Sequence, residues 1–291
     1  MSDHAAGPAK TGRATTGALD GHRRSVPDSS RGDASPEIVS FSDEGTARPG
    51  RLAILEALGD PSSVVGEELR LLSSRVQDIC RQRKINCLAM TSALPGEGKS
   101  TISVGLAAAL ARQSGRRVLL VEGDLRRPSL TRALRLSPTS GLGEWLHGQT
   151  DHLPVRFIDP GGFSLIGAGR SPLERPEVLA SPRMEGLLRS ARVRFDYVVI
   201  DATPLVPIAD ATLMQDLVDG FLLVVRCRLT PRDAIRKGLA KLRKDRILGV
   251  VMNDYRDILP SYTTYAYGRY GMSYGPSARE TGRSSGRKRG G

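Results

Sequence analysis

The stretch Thr91-Ser92-Ala93-Leu94-Pro95-Gly96-Glu97-Gly98-Lys99-Ser100-Thr101 has the residue types and spacing to hold a chain of phosphates. It lies between an apolar run and an Ala-rich helical run. That is where a phosphate-binding loop must sit, because backbone N–H groups at a helix N-terminus favour negative charge. Glycines let the backbone close on the ligand. Lys99 would reach the β- and γ-phosphates, and the Ser100 hydroxyl, with Thr101, would serve Mg²⁺ and phosphate. Ala93 stands where the strict pattern has Gly. Two carboxylate-bearing segments match this loop. Tyr197-Val198-Val199-Ile200-Asp201 is an apolar strand ending in an acid. At the carboxyl edge of a parallel sheet Asp201 faces the same crevice and would help hold Mg²⁺. Val118–Pro128 carries Glu122 and Asp124, two residues apart on an extended segment and so pointing the same way. They can hold a metal together, or one can accept a proton while the other holds the metal. Arg126 can pair with phosphate charge.

Six of seven tyrosines fall in the last forty residues, and five form one run: Tyr262, Tyr265, Tyr267, Tyr270 and Tyr274. Gly268, Gly271 and Gly275 punctuate it, and such a stretch builds no core. Tyrosine is normally placed by packing. Beside a nucleotide site, the simplest reading makes these hydroxyls phosphate acceptors. The alternative is a set of aromatic anchors for a partner.

These groups need a frame. The chain has 291 residues, 39% apolar and 4% aromatic, so its core is expected to be aliphatic. Short apolar strands are predicted at Ile85–Met90, Val118–Val121, Phe163–Ile166, Tyr197–Ile200, Phe221–Val225 and Ile247–Val251. Helices are predicted at Glu67–Arg81, Lys99–Ser114 (ended by Gly115), Pro182–Arg192 and Pro231–Leu242. Strands alternating with helices predict an α/β, three-layer P-loop fold with a mainly parallel central sheet flanked by helices. Residues 1–48 are polar and read as a disordered tail. Residues 49–260 read as the nucleotide-binding domain, and 261–291 as a flexible Tyr-rich and basic tail.

The net charge is +12. Residues 1–50 hold six basic and seven acidic side chains, so most of the excess lies on the folded domain. No nucleic-acid-reading motif accompanies it, and no nucleic-acid partner is expected. The longest apolar stretch, Ile102–Ala111, is too short to span a bilayer, and the N-terminus has no apolar leader. A cytoplasmic location is expected. Cys80, Cys87 and Cys227 show no metal spacing and read as buried free thiols. The four histidines form no ligand pattern.

Taken together, residues 62–274 resemble the bacterial tyrosine kinases of capsule and exopolysaccharide systems, which share a P-loop fold with the MinD and ParA ATPases. Ala93–Thr101 resembles the family's Walker A motif, Leu119–Pro128 its Walker A′ (normally Asp-x-Asp-x-Arg), and Val198–Pro204 its Walker B. Gly169–Leu179, Asp210-Ala211 and Gly249–Asn253 resemble further family segments. The tyrosine cluster is the family's hallmark. MinD- and ParA-type ATPases lack it, and they carry an early P-loop lysine that this chain does not have. The resemblance implies ATP and Mg²⁺ as cofactors, bound by Pro95–Thr101, Arg126, Asp124 and Asp201. It implies catalysis by Lys99, Glu122, Asp124 and Asp201, and autophosphorylation of the tail on a neighbouring subunit. It also implies control of polysaccharide polymerisation and export, and recruitment to the inner face of the plasma membrane. The partners it implies are a separate transmembrane co-polymerase as activator, a cognate phosphotyrosine phosphatase, and copies of the chain itself, in a ring-like homo-oligomer. Three positions depart from the pattern. Glu122 replaces Asp, and Gly123 offers backbone freedom to absorb the added methylene. Walker B reads Asp201-Ala202-Thr203-Pro204. The Glu-x-x-Arg-x-x-Arg oligomerisation motif reads Glu67, Arg70, Ser73. Two other readings stay open: a MinD/ParA-like switch ATPase without tyrosine chemistry, and a non-catalytic nucleotide-binding scaffold.

Overall fold

A computed structural model describes residues 41–47, 53–60, 62–137, 139–171, 175–208 and 210–255. In chain order its elements are β1 (Phe41–Ala47), α1 (Ala53–Gly59), α2 (Val64–Arg83), β2 (Cys87–Ser92), α3 (Lys99–Ser114), β3 (Val118–Glu122), α4 (Leu130–Ala133), α5 (Leu142–Leu146), β4 (Leu153–Ile158), β5 (Phe163–Ile166), α6 (Pro182–Arg194), β6 (Tyr197–Asp201), β7 (Gly220–Arg226), α7 (Arg232–Leu239) and β8 (Ile247–Asn253). Short 3₁₀ turns occupy Pro176–Ala180, Asp210–Met214 and Lys244–Arg246. The eight strands form one sheet in the order β1-β4-β5-β3-β6-β2-β7-β8, parallel throughout except for β4 against β5.

The central strands are apolar on both faces because helices cover both. In β2, Cys87 and Ala89 join one core cluster while Leu88 and Met90 join the other. In β3, Leu119 and Val121 alternate in the same way with Val118 and Leu120. This is the two-residue period of a strand written into two separate cores. One core packs α1, α2 and α3 through Ile54, Leu69, Val76, Leu106 and Leu110. The opposite core packs α5 and α6 through Trp145, Leu187 and Leu188. Because β3, β6, β2, β7 and β8 are adjacent and parallel, their carboxyl ends share one edge of the sheet. The residues that close those strands, Glu122, Asp201, Ser92, Arg226 and Asn253, therefore meet along it.

The parallel sheet expected from the sequence is observed, and α3 has the predicted span, with Gly115 in the left-handed region after it. Two expectations change. Phe41–Ala47 falls inside the tail expected over 1–48, yet forms an edge strand parallel to β4. Its sequence, FSDEGTA, has no apolar alternation, and Phe41 supplies the anchor, edge-on to Phe195 and under Arg194. Strand β4 was missed because Pro154 interrupts its pattern. Ser73, which stands where the motif has its second arginine, is fully buried on the α2 face that carries Leu69, Val76 and Cys80. Glu67 and Arg70 do pair on the helix surface, at 2.8 Å. Cys80 and Cys87 are buried, and burial pushes their thiols up to about 11 and about 12. Cys227 is only half-buried. Among the described residues no helix is long and apolar enough to cross a membrane.

Candidate active site

The loop between β2 and α3 is shaped by two glycines in the left-handed region, Gly96 (φ +80°) and Gly98 (φ +86°). Gly98 caps α3, so the first turn of a sixteen-residue helix opens at the loop. A Cβ on Gly98 would also lie 2.0 Å from Nδ2 of Asn253. That amide donates to the Glu97 carbonyl at 2.9 Å, and so ties the end of β8 to the loop. Glu97 belongs to the loop whose backbone N–H groups are expected at the phosphates; its side chain is buried and used within the protein. Its Oε2 accepts from the Leu94 N–H at 2.9 Å, and its Oε1 accepts from the Thr230 hydroxyl. Both steric and conformational limits apply at Gly98, so Gly98→Ala is expected to weaken nucleotide affinity at least tenfold, checked by calorimetric titration. Wild-type affinity in that variant would contradict the reading of the loop.

Lys99 projects from the first turn of α3 between two carboxylates. Its Nζ lies 2.8 Å from Oδ1 of Asp201 and 3.7 Å from Oδ2 of Asp124. All three side chains are buried. Burial raises both carboxyls above the usual range, and the Lys99 ammonium is the main force opposing it. Ser103, one turn along α3, donates to Oδ1 of Asp201 at 3.2 Å. The second oxygen, Oδ2 of Asp201, is buried without a hydrogen-bond partner among the described residues. An unpaired buried carboxylate oxygen is costly unless a cation completes it. The Ser100 hydroxyl lies close to the same place, 3.4 Å from Nζ of Lys99, and accepts from Ser129 at 2.8 Å. Oxygen donors of this kind suit a hard divalent cation that keeps water and phosphate as its remaining ligands.

The remaining expected site residues fall differently. The whole Glu122 carboxylate is occupied. Its Oε1 accepts from the N–H groups of Leu130 (2.6 Å) and Thr131 (3.4 Å), and its Oε2 from the Thr131 hydroxyl (2.7 Å) and the Ala168 N–H (3.0 Å). Asp124 is thus the acid of this pair that stands beside Lys99. Gly123 is not in the left-handed region. It is required for space, since a Cβ there would lie 2.8 Å from Ile200. Arg126, expected at phosphate, pairs through its guanidinium with the buried Asp210 carboxylate. Thr101 is exposed on α3. The tyrosines 262, 265, 267, 270 and 274 lie outside the described residues. Sequence reasoning missed Ser103, Ser129, Thr230 and Glu144. Asn253 had been noted as part of a motif but given no role.

The family model for the CobQ/CobB/MinD/ParA nucleotide-binding domain matches residues 88–260. The tyrosine-protein kinase YwqD of Bacillus subtilis (strain 168) is 30% identical over 214 residues, which cover 72% of this chain and 89% of YwqD. The succinoglycan biosynthesis transport protein ExoP of Rhizobium meliloti (strain 1021) is 36% identical over 203 residues, 66% of this chain but only 25% of ExoP. Among solved structures, the kinase domain of the Escherichia coli tyrosine kinase ETK superposes with a TM-score of 0.65 at 29% identity, covering 72% of this chain and 84% of that domain. The Lys99–Asp201–Asp124 constellation at the mouth of a P-loop, on a fold shared with these proteins, places this chain in the bacterial tyrosine kinase family of MinD/ParA-like P-loop proteins.

Proposed function

We propose that this chain transfers the γ-phosphoryl group of ATP to tyrosines of its own C-terminal segment, Tyr262, Tyr265, Tyr267, Tyr270 and Tyr274, on a neighbouring copy. The observation that carries the proposal is Lys99 held between two buried carboxylates at the P-loop. In the reaction the tyrosine oxygen bonds to the γ-phosphorus, the bond from that phosphorus to the bridging oxygen breaks, and ADP leaves. The phenolic proton needs an acceptor, because a free tyrosine hydroxyl ionises near pH ~10. Asp124 takes it: burial raises its carboxyl, which suits a base, and it is not saturated by donors as Glu122 is. Lys99 stabilises charge on the transferring group, and loop N–H groups hold the phosphates. Mg²⁺, held by Ser100 and Asp201, would neutralise the β- and γ-oxygens.

The name of the relative ExoP, a succinoglycan biosynthesis transport protein, supports a role in exopolysaccharide production. A separate transmembrane co-polymerase, as activator recruiting the kinase to the membrane, is part of the same proposal. Self-association and a phosphatase that resets the tail complete the reading. The test is incubation of the full chain with Mg·ATP and an activator's cytoplasmic segment, followed by intact-mass and phosphotyrosine analysis. Several phosphates on the tail are expected. Asp124→Asn is expected to lower their rate about a hundredfold or more with ATP affinity kept. ADP release with no phosphotyrosine would replace the kinase reading with a switch ATPase, and bound ATP with neither product would replace it with a scaffold.

A further inference from the structure

Two buried carboxylates on different elements converge on one short segment. After β5 the chain runs through Gly167-Ala168-Gly169-Arg170-Ser171. Glu122, at the end of β3, accepts from the Ala168 N–H at 3.0 Å. Glu144, in α5, accepts from the N–H groups of Arg170 (2.7 Å) and Ser171 (2.8 Å) through one oxygen, and from Gly141 (2.9 Å) through the other. The carbonyls are taken from the same side: Leu142 and Gly143 donate to Gly167 and Ala168 at 2.9 and 2.8 Å. Gly169 (φ +92°) leaves room only for the Glu144 carboxylate, since a Cβ there would lie 1.8 Å from Oε2. Backbone donors outweigh burial and hold the Glu144 carboxyl below its usual range.

We infer that Glu122 and Glu144 are paired positioning residues, which fix Gly167–Ser171 as the wall of the crevice along which the acceptor tyrosine reaches Asp124. This rests on the kinase reading above. The strand order locates the wall. β5 borders β3, and Ile166 pairs with Val121, so the segment stands next to the Glu122–Asp124 turn. On the other flank the P-loop, Glu97, Thr230 and Asn253 bind one another. On this inference, the acceptor segment comes to Asp124 along the β5 side, past Gly167–Ser171. On this reading Glu122 is no base, and its added methylene is what lets the carboxylate reach Leu130 and Thr131 of α4 and Ala168 in the loop after β5. The expectation that Gly123 absorbs that length is replaced, and Glu122→Asp is expected to impair the enzyme.

The test uses the full chain with its five tail tyrosines changed to Phe, and a peptide of residues 258–277 as acceptor. Glu122→Gln and Glu144→Gln keep size but turn one oxygen into a donor. Each is expected to speed amide exchange at 167–171 about tenfold or more, while β2 and β6 stay protected. Each is expected to raise the acceptor KM about tenfold and leave the ATP KM within twofold. Gly169→Ala, which drives a methyl group into Glu144, is expected to reproduce this signature and serves if either Gln variant fails to fold. Unchanged exchange at 167–171 in both Gln variants overturns the inference. So does a Glu122→Gln defect confined to kcat with the segment still protected, which would make Glu122 the base. The exchange readout needs no catalysis, so failure of the kinase reading would appear separately, as no phosphotyrosine in the unaltered chain.

Discussion

Lys99→Ala is expected to abolish tail phosphorylation and to destabilise the fold at the same time. The catalytic loss follows from removing a preorganised cation at the transferring phosphoryl group, and losing one such group costs about 10²–10³ in rate. The structural loss follows from the side chains that remain. Asp201 and Asp124 are buried on either side of the ammonium, and without it neither carboxylate keeps an ion-pair partner among the described residues. Breaking a buried ion pair from one side costs about 3–5 kcal/mol. Uptake of a proton by the Asp201–Asp124 pair moderates that cost, because burial already favours the neutral acids. The variant should therefore recover part of its stability as the pH is lowered, where the wild type has Lys99 in place. Thermal melts at two pH values and a phosphotyrosine assay check both halves. A stable variant with no phosphotyrosine would show that the pair is less buried than the geometry states, and a fully active one would end the kinase assignment.

What could be read from the sequence and what could not divides along a physical line. The P-loop and the acid at the end of β6 are local signals: glycines at fixed offsets, and an apolar run stopped by a carboxylate. Each stays on a strand or helix that its own residues specify, so each was found in place. Burial of β2 and β3 on both faces likewise follows from their short, nearly unbroken apolar runs. The Glu122 carboxylate could not be assigned this way, because three of its four donors are backbone N–H groups, up to 46 residues away. Every residue except proline carries that group, so no side-chain pattern announces it. The partner of Arg126 was hidden for a related reason. Asp210, its partner, is 84 residues on, and a lone arginine beside a phosphate loop looks available until the fold brings the acid to it. Ser73 was legible in principle: it falls four residues after Leu69 and three before Val76, on the helical period of the buried face. Comparison with a motif hid what the period showed.

Asp201→Asn should separate chemistry from stability in a way that Lys99→Ala cannot. The substitution keeps the shape of a fully buried side chain, and its Oδ1 can still accept from Lys99 and Ser103. The charge arithmetic of the pocket differs sharply between the two variants. Lys99 with Asp124 and Asp201 carries one positive and two negative charges. Removing the lysine leaves two negatives, whereas neutralising Asp201 leaves Lys99 opposite Asp124 at 3.7 Å, a balanced pair. Asp201→Asn is therefore expected to melt close to the wild type, well above Lys99→Ala. Activity should nonetheless fall about 10²–10³-fold, because Oδ2, which has no partner among the described residues, is the oxygen offered to the cation, and an amide nitrogen there offers no lone pair. The pH dependence gives a second check. Burial holds the folded Asp201 carboxyl above its ordinary value of 3.8, so between that value and the raised one the native state binds the extra proton. The stability contributed by this group is present below 3.8 and is lost as the pH rises through the folded value. Wild type should gain stability over Asp201→Asn as the solution is acidified across that window. Equal melting of the two single variants, or activity within tenfold of wild type in Asp201→Asn, would remove Asp201 from the centre of the site and leave Asp124 as the only carboxylate to which Lys99 answers.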